Sequence, residues 1–151
     1  MTKISLDEIK KLREETGLGI MEVKKALTES KGDTKKAKEI LKKKGLEKLA
    51  KREDKEAGEG QVYAYVHPGG SMGALVKVLC ETDFVANSEG FINLCKELAM
   101  QTASMNPKSA EDLLDQKYIR DPKKLVKDLV EEAAITFKEK VVVKDVARLE
   151  L

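Results

Sequence analysis

Ala74-Leu75-Val76-Lys77-Val78-Leu79-Cys80-Glu81-Thr82-Asp83-Phe84-Val85-Ala86-Asn87 decides the fold, because its hydrophobic period changes partway through. Ala74, Val76, Val78 and Cys80 alternate with Leu75, Lys77, Leu79 and Glu81, the period of two that belongs to a half-buried strand. Thr82 and Asp83 interrupt it. Both carry a short side-chain oxygen of the kind that accepts from the unpaired N–H groups of a first helical turn. The stretch therefore reads as strand, capped corner and helix, with Phe84 in the first turn. On its residues alone Phe84 is expected to be a core aromatic tucked under the junction, since Phe is among the more buried residue types. Function concentrates at loops and element ends, which makes Thr82 to Asn87 the candidate site.

Upstream, Gln61 to His67 also alternates, with Val62, Ala64 and Val66 on one face and Tyr63, Tyr65 and His67 on the other. Pro68-Gly69-Gly70-Ser71 separates the two runs, so they predict a β-hairpin with a loop longer than two residues. Downstream, Ser88 begins a helix whose Phe91, Leu94, Cys95, Leu98, Ala99 and Thr102 share one stripe until Asn106-Pro107. Ser109-Ala110-Glu111-Asp112 opens a short helix carrying Leu113 and Leu114. Asp121-Pro122 reads as a cap followed by Pro at the first position of a long amphipathic helix through Leu125, Val126, Leu129, Val130, Ala133 and Phe137. Val141-Val142-Val143, Val146, Leu149 and Leu151 predict a last strand that pairs with the hairpin. Residues 58–151 are thus expected to be an α+β core and dimerisation domain, a three-stranded antiparallel sheet with helices packed on one face.

Residues 1–45 have a different period. Ser5-Leu6-Asp7-Glu8 is a capping-box pattern, and Ile9 and Leu12 give the inner face of the helix it starts. Gly17 and Gly19 break that helix. Ile20 to Glu29 forms a second, with Met21, Val23, Ala26 and Leu27 available to a core, and Asp33 or Thr34 caps a third through Ala37, Ile40 and Leu41 that Gly45 should stop. Three short helices of this kind resemble a ubiquitin-associated domain, which is a recognition module. Ile20 and Met21 both read as core, although adjacent helical residues point about 100° apart, so one of them is free to face solvent beside the glycine corner. Residues 46–57 form a charged helical linker. Its lysines, with Lys42-Lys43-Lys44, are interleaved with Glu47, Glu53, Asp54 and Glu56, and no aromatic is present for stacking, which favours a solvated connection over a nucleic-acid surface.

Composition agrees with a helix-rich chain of two small modules. Of 151 residues, 37% are charged and 4% aromatic, so the cores must be aliphatic. Cys80 and Cys95 have neither metal-ligand spacing nor a dense disulfide pattern, and His67, the single histidine, cannot build a metal site alone. His67 therefore reads as a surface residue at a hairpin tip. No run has the length of a membrane span, and the chain is expected to be soluble, reduced and cytoplasmic. Residues 1–57 carry 17 basic and 12 acidic side chains and residues 58–151 carry 12 and 15, so the two halves face different surroundings.

Glu81-Thr82-Asp83-Phe84-Val85-Ala86-Asn87 resembles a signature of elongation factor Ts, and Leu12 to Leu27 is similar to the amino-terminal signature of the same family. The resemblance continues through Tyr65-Val66-His67-Pro68-Gly69-Gly70 and Val141 to Leu151. It implies guanine nucleotide exchange on elongation factor Tu, with Asp83 and Phe84 wedging near the partner's magnesium and phosphate site beside Thr82, Val85 and Asn87. It also implies that Ile20, Met21 and Lys24 touch the partner's nucleotide-binding domain, and that His67 reaches a farther domain. Asp83 is left open as a direct contact or as the cap that aims Phe84. Such a factor needs no cofactor, metal or nucleotide site of its own. Longer family members carry a second core copy and an insertion for which this chain has no room, which implies a homodimer. Short relatives join by a cysteine near the carboxyl end, where this chain has Ala147, so the pairing is expected to be non-covalent.

No phosphate-cradling loop, nucleophile elbow or paired-cysteine motif supports an enzyme. A ubiquitin-like-binding or generic adaptor accounts for the amino-terminal bundle and leaves residues 80–87 unexplained. A nucleic-acid-binding regulator would require strongly salt-dependent binding.

Overall fold

Capping and glycine geometry divide the first fifty residues into three helices. The computed structural model describes residues 3–151, which fall into two compact units meeting between Arg52 and Glu53. In the first unit, helix α1 spans Leu6–Thr16, α2 Ile20–Glu29 and α3 Thr34–Ala50. The Glu8 amide donates to Ser5 Oγ at 3.1 Å and the Ser5 amide donates to the Glu8 carboxylate at 2.9 Å, so each side chain satisfies the other's backbone donor. Gly17 ends α1 at φ 67°, a left-handed conformation that favours glycine. Asp33 caps α3 by accepting from the Lys35 and Lys36 amides at 3.0 and 3.1 Å. Ile9, Leu12, Leu18, Val23, Ala26, Leu27, Ala37 and Leu41 are buried and make the core.

The stop expected at Gly45 does not occur, and α3 continues to Ala50. A glycine inside a helix costs about 1 kcal/mol relative to alanine, which weakens a helix without ending it. Lys44 pairs with Glu29 at 2.6 Å and Lys48 with Glu22 at 2.9 Å, so side chains of α2 hold the second half of α3 in place. Met21 and Ile20 also depart from the core reading, and both are exposed.

The second unit is built on a three-stranded antiparallel sheet in the order β1-β2-β5, with β1 spanning Glu59–Val66, β2 Met72–Cys80 and β5 Val142–Glu150. Between β2 and β5 the chain forms α4 (Asp83–Ala86), α5 (Glu89–Met105), α6 (Ala110–Asp115), the small hairpin β3 (Lys117–Tyr118) and β4 (Asp121–Leu125), and α7 (Val126–Phe137). Val76, Val78 and Cys80 point inward from β2 and are fully buried with Phe91, Cys95, Leu98 and Ala99 of α5 and Val126 of α7. The chain is therefore α+β, with helices on the inner face of the sheet.

Register decides which face of β1 is inward. Tyr63 lies opposite Val76 and Tyr65 opposite Ala74, and directly opposed residues share a face, so both tyrosines pack on the core while Val62 and Val66 face out. The helix start expected at Asp121-Pro122 does not form. These residues lie in β4, and α7 begins only at Val126. Tyr118 pairs with Asp121 and Lys117 with Leu125, while the Val126 amide donates to the Gln116 carbonyl at 2.9 Å. Proline, lacking N–H, is admissible on an edge strand as well as at a helix start, and pairing with β3 selects the strand. The Asp128 carboxylate then accepts from the Leu125 amide at 2.9 Å where α7 starts. Among the described residues no helix is long and apolar enough to cross a membrane.

Candidate functional site

At the end of β2 the chain turns into α4, a single helical turn. Thr82 is its N-cap, in extended conformation, with Oγ1 accepting from the Val85 amide at 3.3 Å. The capping oxygen is thus Thr82's, and Asp83 sits exposed in the first turn. Asn87 closes the turn: its amide and its side-chain Nδ2 both donate to the Asp83 carbonyl, at 3.0 and 2.9 Å. Ser88 then caps α5, taking the Phe91 amide at 3.3 Å and donating to the Val85 carbonyl at 2.7 Å.

Val85 and Ala86 are buried in the core under the corner, whereas Phe84 is 84% exposed. The expectation of a buried Phe84 is overturned by the phase of one helical turn. With consecutive residues about 100° apart, a turn that directs Val85 and Ala86 into the core leaves Phe84 on the opposite side. An aromatic of this size in solvent is an apolar surface without a partner inside its own unit.

Two residues that sequence reasoning missed hold the corner from elsewhere. Gln61 of β1 donates from Nε2 to the Ala86 carbonyl at 3.0 Å. Its signal was a polar side chain in the same phase as Tyr63 and Tyr65. Glu139, beyond the end of α7, accepts from both the Glu81 and Thr82 amides at 3.1 and 3.0 Å. Nothing local in the sequence marks that residue.

Thr82, Asp83, Phe84 and Asn87 are exposed on one surface, whereas Val85, expected among the contact residues, is buried beneath them because its phase in the turn directs it into the core. His67 does not join them. It follows β1 at the hairpin turn, its Nδ1 2.9 Å from Tyr65 Oη, whereas the corner follows the far end of β2. Nine strand residues separate the two ends, about 30 Å at roughly 3.3 Å per residue. In the first unit, Ile20 and Met21 are 51% and 63% exposed at the start of α2, and Lys24 is exposed one turn later. Spacings of three and four residues place Lys24 on the same side as both.

Residues 81–151 match the family model described as Elongation factor TS. A relative named Elongation factor Ts from Caldanaerobacter subterraneus subsp. tengcongensis is 41% identical, over 97% of this chain and 96% of its own length. One from Syntrophobacter fumaroxidans is 36% identical over 99% and 97%. Another from Anaeromyxobacter dehalogenans is 54% identical over 72% of this chain and 49% of its own. The first of these alignments is 192 positions long against 151 residues here, so that relative carries residues without a counterpart in this chain. With identity at this level over nearly all of the chain, through the corner and through the sheet and helices that support it, the chain belongs to the elongation factor Ts family, a family of translation elongation factors.

Proposed function

We propose that this chain is a guanine nucleotide exchange factor for elongation factor Tu, acting in the cytoplasm by presenting Asp83 and Phe84 to the partner's nucleotide domain. The observation that carries this reading is Phe84, 84% exposed on a turn whose neighbouring apolar residues are buried. Phe84 inserts between helices of the partner and disturbs its magnesium and phosphate site. Thr82, Val85 and Asn87 give the corner its shape, with Asp83 a contact beside Phe84. Burying one Phe side chain supplies roughly 1.5–3 kcal/mol, and each 1.36 kcal/mol by which bound GDP is raised relative to its release transition state is about tenfold in rate. A single wedge therefore accounts for a factor of about 10 to 100, and the remaining contacts supply the rest. Ile20, Met21 and Lys24 hold the nucleotide domain, and His67 at the hairpin turn reaches a farther domain.

No bond is made or broken on this chain. By linkage, if binding weakens GDP on the partner, GDP weakens binding by the same factor, so the factor is released once nucleotide returns. The working unit is a non-covalent homodimer, in which the outer face of the sheet meets a second copy. The buried positions of Cys80 and Cys95 fit an association without disulfides.

Release of a fluorescent GDP from purified elongation factor Tu tests the function. The native chain accelerates release, and Phe84→Ala loses about 10- to 100-fold of that acceleration while folding normally. No acceleration by the native chain overturns the exchange function.

A further inference from the structure

We infer that Glu139 is a positioning residue for exchange: its carboxylate fixes the corner that aims Asp83 and Phe84. The inference rests on the exchange reading above and extends it to a residue outside the corner.

The Glu139 carboxylate accepts three hydrogen bonds, all from the two residues that precede α4. Oε1 accepts from the Glu81 amide at 3.1 Å and the Thr82 amide at 3.0 Å, and Oε2 accepts from the Thr82 hydroxyl at 2.7 Å. Glu81 returns the contact, its Oε1 accepting from the Lys140 amide at 2.8 Å. The segment after β2 and the segment after α7 thus hold each other through two carboxylates and three backbone N–H groups. Hydrogen bonds to an ionised acceptor are about twice as strong as neutral ones.

The hydroxyl bond matters most for aim. Thr82 Oγ1 must present a lone pair to the Val85 amide to cap α4, and a hydroxyl has a single hydrogen to place. Donating it to Glu139 leaves a lone pair for Val85 and stops the rotor. A helix of one turn has no stability of its own, so the orientation of Asp83 and Phe84 depends on such anchors. Gln61 holds the other end through the Ala86 carbonyl.

The backbone at the end of α7 delivers Glu139 to this place. Lys138 caps the helix in left-handed conformation at φ 59°, which costs a non-glycine residue about 1–2 kcal/mol. The turn carries the chain out of the helix, so that Glu139, half-buried, meets the corner and Lys140 meets Glu81. A glutamate serving only the core of its unit would have no need to take all three donors from the site.

GDP release from elongation factor Tu is measured with the native chain, Glu139→Ala, Glu139→Gln, Phe84→Ala and the Glu139→Ala/Phe84→Ala double variant. Glu139→Ala lowers the acceleration about tenfold, while Glu139→Gln, which keeps the length and one acceptor oxygen, loses only about two- to threefold. Because Glu139 acts by aiming Asp83 and Phe84, adding Glu139→Ala to Phe84→Ala changes release by no more than about threefold, less than the roughly tenfold loss in the native background. Full acceleration by Glu139→Ala overturns the inference. So does an equal further loss in the Phe84→Ala background, which would mark a general loss of fold. Amide hydrogen exchange of the chain alone separates this failure from failure of the exchange reading. Faster exchange at Glu81, Thr82 and Val85 in both Glu139 variants, with the amides of α5 unchanged, supports the positioning even if the native chain does not accelerate GDP release; unchanged protection at all three overturns it.

Discussion

Two phenylalanines seven residues apart have opposite roles in this fold. Phe91 is fully buried in α5 with its ring 6.1 Å from that of Phe137, so Phe91→Ala should cost about 3–5 kcal/mol in cavity and transfer terms. Phe84 contacts solvent, and Phe84→Ala should change stability by no more than about 0.5 kcal/mol. Urea denaturation of the two variants beside the native chain checks both values, and a large loss in Phe84→Ala would return that ring to the core. Composition could not separate them, because the tendency of Phe to be buried is the same at both positions. Phase within the turn separates them, as it does for Ile20 and Met21, which face out while Val23, Ala26 and Leu27 of the same helix face in. The cysteines are the converse case, apolar in behaviour as well as in position. Burial raises the Cys95 thiol to about 12, and burial followed by the nearby Glu139 charge raises Cys80. Only the thiolate attacks, so at pH 8 each shift lowers the reactive fraction. Neither thiol should titrate with a disulfide reagent in the folded chain, and both should do so in denaturant.

Helix caps were legible at the level of elements because their reach is short. Ser5, Thr82, Ser88 and Ser109 each accept from the amide three residues on, a geometry fully contained in a local stretch of sequence. The β3–β4 hairpin was not legible, since Asp121-Pro122 suits a helix start and an edge strand equally and the deciding contacts are to residues 116–118. Glycines divide in the same way. Gly45 lies within helical backbone in α3, and Gly45→Ala should raise stability by about 0.5–1 kcal/mol, seen as a higher melting temperature. Gly60 in β1 has φ 153°, and a Cβ there would lie 2.0 Å from the Val78 carbonyl oxygen on the paired strand. Because that obstacle is backbone, Gly60→Ala should cost about 3 kcal/mol or more, with its largest effect on amide protection in β1. A Gly60→Ala variant as stable as the native chain would show that the strand end shifts freely.

For the whole molecule, the outer face of the sheet is the surface on which the proposed association can be tested. Directly opposed residues share a face, so Ala64, Leu75 and Ala147 form one outward row, Val66, Gly73 and Leu149 the next, and Val62, Lys77 and Asp145 another. Leu75 is 46% and Leu149 83% exposed, with Val62 and Val66 similarly open. An antiparallel sheet can present one face to water when that face is polar; here two rows are aliphatic or glycine, and a contiguous apolar patch of this kind marks a contact surface. A second copy is the simplest occupant. In the proposed homodimer a two-fold axis would bring the same patch against itself, stacking sheet on sheet as in a sandwich and closing the assembly at two chains. The third row gives each copy both signs of charge, Lys77 opposite Asp145, so self-association need not bury a single sign. Sedimentation equilibrium should therefore give twice the 16.8 kDa of one chain at micromolar concentration. Leu75→Lys should return the mass to one chain without loss of helix content, because the substituted side chain is open to solvent in the single chain. High salt screens charge and leaves apolar burial intact, so the native dimer should persist at 1 M sodium chloride. A native chain that sediments as a monomer throughout this range would exclude the sheet face as a self-contact and leave it for another protein.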